Sequence, residues 1–155
     1  KTKLSITRTG EQLEVNCLIR KKRVLLSPEE WVRQHLIAFF IDSLNYPKGL
    51  ISVEKQIKYG SLDKRWDLAV FKNNHECFLL AECKAPNVQL SKAVLEQSLV
   101  YYKTPIGLPD DSPLAIVTSI DRDKEIAYIT WVKNNQTDPM PMKWIEVIDP
   151  LKSET

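Results

Sequence analysis

Apolar and polar positions fall into a readable order along this chain of 155 residues. Leu13, Val15, Cys17 and Ile19 alternate with Glu14, Asn16 and Arg20, broken only at Leu18, which is the period-two pattern of a half-buried strand. Ser27-Pro28-Glu29-Glu30 predicts a helix start. Serine suits the N-cap, proline the first helical position, and Glu30 stands where a capping box places its acid. The helix is expected to run to about Asn45, where Tyr46-Pro47-Lys48-Gly49 stops it. Three strand-like runs follow, from Ile51 to Ile57, Arg65 to Phe71 and Phe78 to Lys84. Only short separators, Gly60-Ser61 and Asn73-Asn74, stand between them, so they read as an antiparallel meander. A second helix is predicted from about Leu90 to Lys103, and the apolar run Pro113 to Thr118 reads as a buried strand. A hairpin from Lys124 to Val132 and a strand from Trp144 to Ile148 complete the predicted elements. This order describes an α/β sandwich, a mixed sheet with helices on both faces.

Composition narrows the class. With 43% hydrophobic and 27% charged residues, and four glycines against nine prolines, the chain is neither disordered nor fibrous and suits a single domain spanning 1–155. Nothing approaches the ~18 apolar residues of a membrane span, and no signal-peptide pattern opens the sequence. Cys17, Cys77 and Cys83 form no C-x-x-C pair and read as reduced thiols, so a cytoplasmic location without a membrane is expected. Charge is unevenly placed. Residues 1–26 hold seven basic side chains against Glu11 and Glu14, a balance of +5, leaving −3 for the rest of a chain whose net charge is +2. The run Arg20-Lys21-Lys22-Arg23 suits contact with phosphates, and equally a solvated turn.

The candidate chemistry gathers on the meander. Glu82 and Lys84, two apart on the third run, point to the same side, and a hairpin through Asn73-Asn74 brings Asp67 beside them. Two carboxylates suit a hard divalent ion such as Mg²⁺, which needs few protein ligands and keeps several waters. A triplet Glu-x-Lys alone reads equally well as a surface salt bridge. Its place after the apolar run Phe78-Leu79-Leu80-Ala81, at the end of a buried strand, is where α/β folds commonly carry sites. On the second helix Gln97 and Tyr101 share the stripe of Leu90 and Val94. That is either the edge of an ordinary amphipathic helix or an inward amide in need of a charged partner.

Taken together, several strings resemble the N-terminal nuclease-type domain of type I restriction enzyme R subunits, and more closely the small stand-alone bacterial proteins related to it. They are Arg20 to Gln34, Val53-Glu54-Lys55-Gln56, Lys64-Arg65-Trp66-Asp67, Glu82-Cys83-Lys84-Ala85-Pro86, Gln97-x-x-x-Tyr101 and Ile116-Val117-Thr118, covering about residues 20–120. The resemblance implies a PD-(D/E)XK core over about 24–120, with a basic strand segment at 1–23 and extra strands over 121–150. It implies metal ligation by Asp67, Glu82 and the backbone carbonyl of Cys83, Lys84 as the catalytic lysine, and support from Gln97 and Tyr101. An acid of the first helix usually completes such a cluster. Helical angles favour Glu29, which shares a face with Val32 and Leu36, because Glu30 has the capping role; Glu54 reads as supporting or structural.

The expectation is a Mg²⁺- or Mn²⁺-dependent nuclease acting on DNA, partnered by a second copy of itself or by other restriction-system subunits. The alternative is a non-catalytic nucleic-acid-binding or assembly module of the same fold. No Gly-x-x-x-x-Gly-Lys-Ser/Thr loop is present, so no ATP-driven motor is expected. Relatives commonly continue the fourth strand with Thr-Asn-Gly where this chain has Thr118-Ser119-Ile120. His35 and His75 are too few for a zinc site and read as surface residues, Cys83 reads as core packing, and the four tryptophans as packing groups.

Overall fold

The computed structural model describes residues 4–59, 62–91, 93–94, 114–124, 126–131 and 140–142. It begins with a small antiparallel sheet of β1 (Ile6–Thr9), β2 (Gln12–Asn16) and β3 (Arg23–Leu25). The β1–β2 hairpin pairs Thr9 with Gln12, so its loop is two residues long, and Gly10 takes the positive φ of +66° that such tight turns ask of their first loop position. Only β2 was expected here. β1 carries a single apolar residue and β3 is three residues long, too little pattern to read in isolation.

Helix α1 (Pro28–Asp42) starts as its sequence predicts, with Ser27 as N-cap accepting the Glu30 N–H at 3.1 Å. It ends three residues before Asn45, where the Ser43 N–H bonds back to Phe39. This helix is buried around most of its circumference, from Glu30 through Ala38 and again at Phe40. Val32, Leu36 and Ile37 form one core with Leu68, Val70, Leu79, Ala81 and Ile116 of the large sheet, while Leu18, Ile19 and Leu26 close in from the N-terminal sheet. Full burial of each such aliphatic side chain stabilises by about 1.5–3 kcal/mol.

The large sheet is mixed and six-stranded, in the order β4 (Ile51–Tyr59), β5 (Leu62–Phe71), β6 (Cys77–Cys83), β7 (Leu114–Asp121), β8 (Ile126–Trp131), β9 (Met140–Met142). The meander β4–β5–β6 is antiparallel, β6 and β7 run parallel, and β8 and β9 return antiparallel. A parallel pair needs a long crossover between its strands, which the residues between β6 and β7 supply. The predicted second helix falls within that crossover and lies almost wholly outside the described residues, as do Gln97, Tyr101 and the predicted strand Trp144 to Ile148. The second face of the sheet has its own core of Trp66, Ala69, Leu80, Leu90, Ala115 and Val117.

Besides a register shift at Val70 and Phe71 in the β5–β6 ladder, the meander carries an irregularity at Asp67. Trp66 and Leu68, two apart on β5, belong to opposite cores, although alternate residues of a regular strand share a face. The β4–β5 ladder pairs Val53 with Leu68 and resumes at Lys55 with Trp66, skipping Glu54 and Asp67. Glu54 stands in the left-handed region at φ 56°, a conformation that costs a non-glycine residue about 1–2 kcal/mol. The β4–β5 pairing is interrupted where Asp67 sits.

Candidate functional site

Asp67 is fixed from two sides. Its Oδ2 accepts the backbone N–H of Cys83 at 2.6 Å, and its Oδ1 accepts Arg33 Nη2 of α1 at 3.2 Å. The β5–β6 ladder ends at Leu68 with Ala81, and one further step of that register sets Asp67 opposite Glu82. The Asp67 carboxylate therefore takes a backbone donor at the point where the two strands stop pairing. Glu82 is partly buried, and Cys83 is buried on the α1 side beside Ala81 and Leu79. Burial pushes the Cys83 thiol well above its ordinary range. The Asp67, Glu82 and Glu30 carboxylates add to the rise, and Arg33 opposes it. This thiol is a packing group and no nucleophile. Lys84 is partly buried, and its N–H donates to Thr118 at 2.9 Å, prolonging the parallel ladder to the end of β6.

The α1 acid within the ionic cluster around Arg33 is Glu30, whereas Glu29 is the helix acid expected to support the site. Glu29 is exposed, whereas Glu30 is 6% exposed. Only half of the capping box forms, because the Ser27 N–H goes to Leu25 and the Glu30 carboxylate turns inward. Glu30 Oε1 takes Arg20 and Arg33 Nη1, the latter at 3.2 Å, and Oε2 takes Gln34 Nε2 at 3.0 Å. Gln34 in turn accepts the Leu18 N–H at 3.1 Å, tying the helix to the β2–β3 connection. Glu54 joins from β4, with its oxygens 3.8 Å from Arg20, 3.9 Å from Arg33 and 3.3 Å from Arg65. Three carboxylates, Glu30, Glu54 and Asp67, thus share two guanidinium groups, Arg20 and Arg33.

This network divides the basic run. Arg20 turns inward to Glu30 and to the Cys17 sulfur, so it is not open to a phosphate, while Lys21, Lys22 and Arg23 are exposed on the connection into β3. His35 also departs from expectation. It is fully buried, its Nδ1 2.7 Å from the Trp31 carbonyl, whereas His75 is exposed in its turn as anticipated. Arg33 was not singled out by sequence reasoning. Its signal was there in Glu30-x-x-Arg33, an ion-pair spacing that encloses the apolar Trp31 and Val32.

Among the described residues no three carboxylate, histidine or cysteine side chains converge into a ready metal cage. The donor chemistry nevertheless fits a hard divalent ion. Mg²⁺ takes one or two carboxylates and keeps several waters, and Asp67 stands in register with Glu82. The cation that Asp67 meets in this structure is the Arg33 guanidinium. A cavity of about 400 Å³ lies between the segment after Lys84 and the end of β7, lined by Asn87, Leu90, Ser119, Asp121 and Tyr128.

A mixed sheet whose inner strand β6 ends at Glu82-Cys83, with a partly buried ionic cluster drawn from α1, β4, β5 and the β2–β3 connection, is an α/β architecture consistent with a nuclease-like fold. The family described as type I restriction enzyme R protein N terminus (HSDR_N) matches residues 28–136, and the chain belongs to it. The match begins at Pro28, so the basic run lies before it. Comparison with curated proteins gives no match. No described helix is long and apolar enough to cross a membrane.

Proposed function

We propose that the domain hydrolyses DNA phosphodiester bonds with the help of Mg²⁺ or Mn²⁺, on a PD-(D/E)XK core. The observation that carries this reading is the placement of Asp67 beside the Cys83 N–H and, one step past the last ladder pair, opposite Glu82, in a chain of a restriction-enzyme family. Asp67, Glu82 and the Cys83 carbonyl would hold the ion. When bound, such an ion neutralises phosphate charge and lowers the pKa of a coordinated water. Lys84, anchored through its backbone at the end of β6, orients the attacking water and stabilises charge developing on the phosphate. Gln97 and Tyr101 steady the site, and Lys21, Lys22 and Arg23 contact the DNA backbone. A location in the cytoplasm and partnership with a second copy or other restriction-system subunits belong to the same reading.

The test is Mn²⁺-supported nicking of plasmid DNA by wild type and Lys84→Ala, purified identically. Loss of one charge-stabilising group lowers such a rate by about 10²–10³. Equal nicking by both proteins would show that the activity belongs elsewhere. Absence of nicking by wild type on single- and double-stranded DNA, with binding retained, would favour the non-catalytic binding module.

A further inference from the structure

We infer that Arg33 is a positioning residue that takes the place of a divalent cation at Asp67, and that a metal ion binds there by displacing its guanidinium from the Asp67 oxygen. This rests on Asp67 being a metal ligand, as proposed above. The Arg33 side chain is 8% exposed, with Nη2 on Asp67 and Nη1 on Glu30. Its Nε is buried and has no hydrogen-bond partner among the described residues. An orphaned buried donor is unfavourable, so the group is not in a fully satisfied resting place. Glu30 is the opposite case. Both its oxygens are engaged, by Arg20, Arg33 and Gln34, which makes it an anchor that retains Arg33 when Asp67 releases it.

Two cations on one carboxylate oxygen repel, so the resident guanidinium weakens metal binding at Asp67. A purely structural arginine makes the contrary forecast. Without its clamp Asp67 would lose its orientation, and metal affinity would fall.

Mn²⁺ binding is to be measured by calorimetry at fixed ionic strength on wild type, Arg33→Gln, Arg33→Lys and Asp67→Asn. Neutralising Arg33 should tighten binding by about tenfold or more, as a nearby charge shifts a binding equilibrium by one to three decades. Arg33→Lys, which keeps the charge, should stay close to wild type. Unchanged or weaker binding by Arg33→Gln overturns the inference. Asp67→Asn that binds Mn²⁺ as well as wild type instead overturns the reading of Asp67 as a ligand, so the two failures are distinct. Should Arg33→Gln fail to fold, the native protein supplies the readout through arginine side-chain NMR. The Arg33 Nε–H resonance should move on Mg²⁺ addition while that of exposed Arg65 stays in place. An Arg33 signal that does not move while Mg²⁺ raises the melting temperature also overturns the inference.

Discussion

Arg20 and Glu30 lie ten residues apart in sequence and on different elements, yet they form an ion pair that clamps the β2–β3 connection onto the first turn of α1. The pair separates two functions within one basic run. Replacing Lys21, Lys22 and Arg23 together by glutamine should leave the melting temperature nearly unchanged. It should weaken binding to any DNA sequence and lower the salt slope by about 0.9 for each phosphate that is no longer neutralised. Arg20→Gln should do the reverse, lowering stability with little change in slope. Fluorescence anisotropy across a salt series, together with thermal melts, separates the two.

Glu29 and Glu30 are neighbours with opposite fates. Removing one partner of a buried pair costs about 3–5 kcal/mol, because the remaining charge stays buried. Arg20 is partly exposed, so Glu30→Gln is expected at or below the lower end of that range. Glu29→Gln, at an exposed site, should stay within about 0.5 kcal/mol. Urea unfolding of both variants is the check, and equal midpoints would mean that the Glu30 carboxylate is not held in a buried ion pair.

The Cys17 thiol provides a pH signature. Burial pushes its pKa up, but the Arg20 N–H and Nε, each 3.2 Å from the sulfur, and further donors from Gln34 and Ile19 outweigh burial. The thiol therefore lies below its ordinary 9.0 in the folded protein. A depressed pKa contributes stability that is fully present above 9.0 and is lost as pH falls through the folded value. Wild type should accordingly gain stability over Cys17→Ala as pH rises towards 9.0, measured by parallel denaturant melts. A constant difference across that window would show that Arg20 does not favour the thiolate.

Ser27 accepts the Glu30 N–H at the start of α1. Ser27→Ala should cost about 1 kcal/mol. Ser27→Asp, which restores an acceptor at the N-cap, should recover most of that loss in the same urea titration.

The meander was legible because its strands are short runs holding apolar residues between brief turn segments, and β7 because Leu114 to Val117 is apolar. β1, β3 and β9 were not legible. Ile6-Thr7-Arg8-Thr9 and Met140-Pro141-Met142 hold little local pattern and owe their structure to the strands they pair with. The helix was read correctly at its start and wrongly around its circumference. Helical angles place Glu29 on the face of Val32 and Leu36, and His35 reads as a surface residue within the helix. The β2–β3 connection meets another flank of α1 through Leu18 to Gln34 and Arg20 to Glu30, and Glu30, Gln34 and His35 are all buried. Asp67 with Glu82 could be anticipated from hairpin geometry. The guanidinium between Asp67 and Glu30 could not, since it depends on how a helix and a strand far apart in sequence are packed.

The parallel pairing of β6 with β7 has a consequence for biosynthesis. During synthesis β6 is complete well before Leu114 is available to flank it, so for that interval its outer edge of N–H and C=O groups is unpaired. Such an edge, on a strand whose own residues include the apolar run Phe78-Leu79-Leu80-Ala81, invites pairing with another chain. The long crossover thus sets a period in which the nascent protein is most prone to aggregate, and truncation before β7 would make that exposure permanent.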